Sequence, residues 1–193
     1  LSGAVLAGGQ AGRLRGQDKT KLQFGHKTLL DRTLDILDPI CDERLISSNN
    51  LTSYTNCRIV PDQAKGQGPL GALHSCLLAA RNPYLMIVAT DMPFITTKAL
   101  ARLWQERDNF DVVIPKSPDG MQPLAALYHR ECIAPISRQL QKGNFKIRSF
   151  FPDIRVKIIN CPDFPDIYHK NIFLNINSPA DLQKARKLYG QKN

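Results

Sequence analysis

One stretch limits the folds open to this chain more than any other. Residues 84–89 read Tyr-Leu-Met-Ile-Val-Ala, an apolar run without alternation. A half-buried strand would alternate, so an unbroken run predicts burial on both faces, as in the middle of a parallel sheet. Strands and amphipathic helices alternate along the rest of the chain, which predicts an α/β architecture with a mostly parallel sheet. The run ends in Thr90-Asp91-Met92-Pro93-Phe94. Ligands of open parallel sheets bind beyond the carboxyl ends of the strands. Asp91 is therefore placed to hold a cation; the alternative is that its carboxylate merely caps the turn that follows.

A second strand signal, Ala4–Leu6, stops at Ala7-Gly8-Gly9, and Arg13, Arg15, Lys19 and Lys21 follow with Gly12 and Gly16 between them. Glycines let successive N–H groups turn inward into an anion cradle. Arg and Lys add charge for phosphate oxygens. The pattern is not a P-loop, because Gln17 and Asp18 separate Gly16 from Lys19. It is either a phosphate-binding loop or a glycine-rich surface loop with solvated cations. A later run, Gly66-x-Gly68-x-x-Gly71, mimics the dinucleotide fingerprint. However, residues 62–65 separate it from the preceding strand, and Pro69 has no N–H to offer. Opening a helix is its simpler use.

Between these landmarks, Thr28 is a candidate helix cap, with Leu30, Leu34 and Leu37 on one helical face and Pro39 at the end. Arg44–Ser47, Arg58–Val60 and Asp111–Ile114 read as strands. Thr97 reads as the cap of a helix carrying Leu100, Leu103 and Trp104, and residues 133–140 as another helix. Ser117-Pro118-Asp119-Gly120 is a turn, and Gln122-Pro123-Leu124 leads into residues 124–128, an antiparallel excursion expected to lid an acceptor site. Lys146 and Arg148 lie among Phe145, Phe150 and Phe151, a pattern that single-strand binders use but that more often marks core residues under a solvated face. Ser178, Pro179 and Asp181 form a helix start. They leave Asn175 and Asn177 unexplained except as turn amides.

The chain has 193 residues and a net charge of +9, with cations spread along it, so an anionic ligand is expected. Its five cysteines are odd in number and lack C-x-x-C spacing, which fits free thiols in a reducing compartment and argues against zinc. The four histidines share no ligand-like spacing. No apolar run is long enough to span a membrane, and no signal peptide is visible.

Five segments resemble, in order, motifs of the MobA family, the molybdenum cofactor guanylyltransferases of the nucleotidyltransferase superfamily. They are Leu6-Ala7-Gly8-Gly9 through Arg13 to Gly16-x-Asp18-Lys19, Asp62, Gly68-Pro69-Leu70-Gly71 (similar to a G-P-L-x-G-type loop), Asp91-x-Pro93-Phe94, and Asn175-x-Asn177-Ser178-Pro179-x-Asp181-Leu182. Three positions depart from the family pattern: Leu14 stands for Met, Arg15 for Gly, and Ser47 for an Asn that nearby Asn49 would replace.

The resemblance implies a three-layer α/β/α Rossmann-like nucleotide-diphospho-sugar transferase fold, as a single nucleotidyltransferase domain over residues 1–193. It implies transfer of GMP from GTP to the phosphate of molybdopterin, with or without molybdenum, releasing pyrophosphate. It also implies Mg²⁺ as cofactor. Gly8, Gly9, Arg13 and Lys19 would hold the triphosphate, and Leu6, Ala7, Asn49, Asp62 and Asp91 would complete the nucleotide-binding set. Asp91 would hold the metal, and Asn175 and Asn177 the acceptor, with Arg13, Lys19 and Asp91 catalytic. Partners would be GTP and a molybdopterin-type acceptor, with transient contact to cofactor-biosynthesis or molybdoenzyme proteins, no nucleic acid and no membrane, in the cytoplasm. The alternatives are a CMP- or sugar/polyol-phosphate relative, a nucleotide-binding member without catalysis, and a basic nucleic-acid-binding protein.

Overall fold

The computed structural model describes residues 1–8, 19–64 and 66–190. Its elements are β1 (Ser2–Leu6), a small hairpin of β2 (Gln23–Phe24) and β3 (Lys27–Thr28), α1 (Leu29–Leu37), β4 (Glu43–Ser47), β5 (Arg58–Val60), α2 (Gly68–Ala79), β6 (Tyr84–Ala89), α3 (Thr97–Gln105), β7 (Val112–Ser117), β8 (Gly120–Met121), β9 (Ala125–His129), α4 (Ile133–Gln141), β10 (Val156–Asn160) and α5 (Pro179–Gly190). The main sheet has the order β10-β7-β9-β6-β1-β4-β5, with β8 paired to β7. Strands β1, β4, β5 and β6 run parallel as one block and β10 runs parallel to β7, while β9 opposes both of its neighbours.

The apolar run of β6 sits where its composition requires. Leu85 and Ile87 enter a core cluster with Leu70, Leu73 and Leu77 of α2 and Ile136 of α4. Met86 and Val88 point the other way, into a cluster with Leu30, Leu34 and Leu37 of α1 and Leu100 and Leu103 of α3. The two-residue period of a strand thus feeds two helical layers, and each fully buried aliphatic side chain stabilises the sandwich by about 1.5–3 kcal/mol. A third, smaller cluster joins Phe24, Leu29, Phe94, Ile176 and Ala185. It ties the hairpin and α5 to the segment after β6.

Thr28 caps α1 as its position predicts, its hydroxyl oxygen accepting from Asp31 N at 3.1 Å. The cap of α3 falls one residue earlier than expected. Thr96 accepts from Ala99 N at 3.2 Å, and Thr97, already helical, donates its hydroxyl to Ile36 O at 2.9 Å. With two adjacent threonines, extended backbone selects Thr96 as the cap. The residues expected to form a lid are also corrected: β9 (Ala125–His129) is an interior strand hydrogen-bonded to β6 and β7. Only the approach, residues 122–124, stands at the sheet's rim. Phe150 is fully buried and Phe145 is 42% exposed, so the aromatic run divides between core and surface. Ser178 caps α5, accepting from Asp181 N at 3.2 Å.

Candidate active site

The strand ends align. Leu6 is paired with Ser47 of β4 and with Ala89 of β6, and Ser47 with Val60 of β5. The chain proceeds outward from β1 to β4 and β5, then returns through α2 to β6 on the other side of β1. The crevice beyond β1 and β6 is therefore the point where strand order reverses, the usual ligand position in such sheets.

Hydrogen bonds hold the strand tips together past the last paired residues. Ala7 N donates to Ser47 O at 3.0 Å, and Thr90 donates to Leu6 O from both its N (3.3 Å) and its Oγ1 (2.9 Å). Gly8 and Asp91 each lie two residues beyond the Leu6–Ala89 pair, on adjacent strands. Gly8 and Asp91 thus stand together at one crevice. Gly8 is exposed, and a Cβ built there would meet only Ser47 O, at 4.0 Å. Its backbone is not in the left-handed region, so what glycine provides at this position is open space above the strand rather than an unusual turn.

Asn49 and Asp62 form a reciprocal pair at the ends of β4 and β5. Asn49 Nδ2 donates to Asp62 Oδ2, and Asp62 N donates to Asn49 Oδ1, both at 2.9 Å. Ser47 Oγ donates to Asp62 Oδ1 at 3.4 Å. Ser47, Asn49 and Asp62 are therefore one cluster, with Asn49 oriented by Asp62. The glycine loop after β5 opens α2 as expected. Gly68 has φ +60°, and a Cβ on Gly71 would come within 2.6 Å of Gln67 Cβ. Glycine at 71 lets the loop fold back onto the first helical turn.

On the other flank of Asp91, Ile176 N donates to Asp91 O at 2.9 Å. This main-chain bond brings Asn175 and Asn177 to the rim of Asp91. A cleft of about 270 Å³ is lined by Asp91, Met92, Gln122, Pro123, Leu124, Asn175 and Asn177. Gln122 is not among the site residues that the sequence points to; its place after the Asp-Gly turn, leading into the segment expected to lid an acceptor site, gives its side chain no chemistry by itself. Asn177 N also donates to the capping carboxylate Asp181 (Oδ2, 3.1 Å), which fixes the start of α5 against the cleft.

Gly9 and Arg13 lie outside the described residues, as does Arg15. Lys19 opens a short 3-10 turn, Lys19–Lys21, but its side chain is also outside the described set. Among the described residues no group of three or more His, Cys, Asp or Glu side chains could hold a metal ion. That donor set does not suit a resident, protein-caged metal. It does suit Mg²⁺, which needs only one or two carboxylates when phosphate oxygens and water complete its shell, and Asp91 is the carboxylate in position.

Comparison with known proteins follows this geometry. Residues 3–156 match the family model described as the MobA-like NTP transferase domain. A probable molybdenum cofactor guanylyltransferase from Pelotomaculum thermopropionicum is 33% identical over 190 residues, covering 96% of this chain and 91% of that protein. The molybdenum cofactor guanylyltransferase of Desulfosudis oleivorans is 31% identical over 192 residues, covering 96% of this chain and 94% of its own length. Among solved structures, molybdopterin-guanine dinucleotide biosynthesis protein A from Archaeoglobus fulgidus superposes with a TM-score of 0.85 at 26% identity, covering 99% of this chain and 100% of that one.

Proposed function

The chain belongs to the MobA-like NTP transferase family, and from that premise we propose that it moves GMP from GTP to the phosphate of a molybdopterin-type acceptor, releasing pyrophosphate. The observation that carries this reading is the junction of β1 and β6. Gly8 and Asp91 stand side by side beyond paired residues, with the Asn49–Asp62 cluster on one flank and the cleft of Asn175 and Asn177 on the other. The whole chain, residues 1–193, acts in this proposal as one nucleotidyltransferase domain.

The chemistry asks little of a general base, because the acceptor phosphate is already ionised at neutral pH. It asks instead that donor and acceptor be held in line and that charge on the α-phosphate and departing pyrophosphate be neutralised. The N–H groups of Gly8 and Gly9 cradle the triphosphate, and Leu6 and Ala7, tied to Thr90 and Ser47, carry them at the strand tip. Arg13 and Lys19 stabilise the charge that shifts onto the leaving group. Asp62, steadied by Asn49, binds the nucleoside. Asn175 and Asn177 orient the acceptor phosphate. Asp91 would hold Mg²⁺, which would supply positive charge against the phosphate groups. The net charge of +9 suits a reaction between two polyanions.

Among the described residues no helix is long and apolar enough to cross a membrane, and the five cysteines are free thiols. A cytoplasmic site of action and transient contact with molybdoenzyme or cofactor-biosynthesis proteins complete the proposal. Thermal-shift profiling with Mg²⁺ tests it. GTP should raise Tm well above CTP at equal concentration, because only the cognate triphosphate binds the folded state tightly. A larger shift with CTP would move the reading to the CMP-transferring relatives, and no shift with any triphosphate would overturn it.

A further inference from the structure

Gln122 is held more tightly than a rim residue needs to be. Its main chain is tied on both sides, with Gln122 N donating to Pro115 O at 2.9 Å and Ala125 N donating to Gln122 O at 3.1 Å. Its side-chain amide is tied as well: Nε2 donates to Ser117 Oγ at 3.0 Å and to Gly120 O at 3.3 Å. Ser117 is buried, donates its own proton to Gly120 O (3.3 Å) and accepts from Asp119 N (3.3 Å). Gly120 has φ +114°, a backbone that side-chain-bearing residues resist.

These bonds decide which way the amide faces. Turning it over would set Oε1 against Gly120 O, two acceptors with no proton between them, and the single Ser117 hydroxyl proton could serve only one of the two oxygens. The NH₂ group is therefore committed to the protein, and Oε1 receives no hydrogen bond from the described residues. The same residue lines the cleft with Asp91, Asn175 and Asn177, beside the apolar wall of Pro123 and Leu124. An oriented acceptor atom, an apolar wall and a carboxylate at the phosphate end make a site for a flat ring system that carries N–H donors and ends in a phosphate.

We infer that Gln122 is a specificity-determining residue of the acceptor site, its Oε1 accepting a hydrogen bond from a ring or amino N–H of the pterin while Pro123 and Leu124 contact the ring. This inference rests on the reading of the acceptor as a molybdopterin-type phosphate. Ser117 and Gly120 are positioning residues that fix the amide.

The test is equilibrium binding of molybdopterin, under anaerobic conditions, to the full chain and to Gln122→Met and Ser117→Ala, with GTP binding measured in parallel. Loss of one neutral hydrogen bond, roughly 0.5–1.5 kcal/mol, corresponds to a Kd about 2- to 12-fold higher. Gln122→Met should show that rise for molybdopterin with its GTP Kd unchanged, and Ser117→Ala a smaller rise in the same direction. An unchanged molybdopterin Kd in Gln122→Met, or a parallel loss of GTP affinity, would overturn the inference. Binding of molybdopterin by the unaltered chain without GMP transfer would instead contradict the proposed reaction and leave the role of Gln122 standing.

Discussion

Thr90 offers a sharp test of whether strand alignment makes the site. The residue is buried, and its Oγ1 donates to Leu6 O at 2.9 Å, reinforcing the longer bond from its own N at 3.3 Å. Together these bonds clamp the tip of β6, one residue before Asp91, to the tip of β1, two residues before Gly8. Thr90→Val keeps the shape and the stiff χ1 of a β-branched side chain but removes the hydroxyl. Leu6 O keeps one donor, so the cost is that of a single hydrogen bond, about 1 kcal/mol. For a chain of this size that lowers Tm by about 2–4 °C. Native stabilities are about 5–15 kcal/mol, so the protein stays folded at 25 °C and any kinetic change reports local geometry. Because in-line transfer is sensitive to misplacement on the order of 1 Å, kcat/KM for GTP should fall about tenfold. Differential scanning calorimetry and a pyrophosphate-release assay on the same preparation give both numbers. A lowered Tm with unchanged kcat/KM would show that clamping the two tips is irrelevant to turnover, and an unchanged Tm would show that the hydroxyl bond contributes nothing.

Other perturbations separate chemistry from scaffold. Lys19→Ala should leave Tm within a degree or so and lower kcat by about 10²–10³, as loss of one charge-stabilising donor does; near-normal kcat/KM would remove Lys19 from the mechanism. Gly71→Ala puts a Cβ within 2.6 Å of Gln67 Cβ, so the loop before α2 must shift. A stability loss of about 1–3 kcal/mol with weaker GTP binding is expected in denaturant titration and calorimetry, and unaltered values would show that the loop yields freely. Asp111 is held below the ordinary carboxylate range by hydrogen bonds from Arg155, whose guanidinium and main-chain N reach it at 2.9–3.2 Å. A carboxyl lowered in the folded state adds stability above its unfolded pKa, near 4, and loses it as pH falls through the lower folded value. Asp111→Asn should therefore lower Tm at pH 7, and only modestly because Arg155 is largely solvated. The gap from the unaltered chain should narrow below pH ~4, and a gap independent of pH would refute the ion-pair origin.

The strand bearing Asp91 was legible because burial on two faces leaves an unmistakable apolar run at residues 84–89, and β1, β4 and β5 were legible as short strand segments, though not their order in the sheet. The capping of α1 and α5 was legible too, since Thr28 and Ser178 satisfy local rules. What escaped depended on contacts distant in sequence. Strand β9 looked like an excursion because nothing local says that residues 125–129 will slot between β6 and β7. Strand β10, at an edge and with Ile158 43% exposed, has no clean alternation to announce it. The choice of Thr96 over Thr97 turned on which of the two keeps extended backbone, while the Thr97 hydroxyl goes to Ile36 O, sixty-one residues away. Gln122 is the clearest case, because its amide acquires a direction only after the Ser117–Gly120 turn has folded beneath it.

The most direct test of the site is the metal affinity of the nucleotide complex. Mn²⁺, visible by electron paramagnetic resonance, would be titrated into the GTP-bound protein and into its Asp91→Asn variant. Asp91→Asn should weaken Mn²⁺ binding in the ternary complex at least tenfold, roughly 1.4 kcal/mol, while GTP binding without metal stays within twofold. Equal Mn²⁺ affinity in the two proteins would mean that the carboxylate at the end of the central strand does not hold the metal.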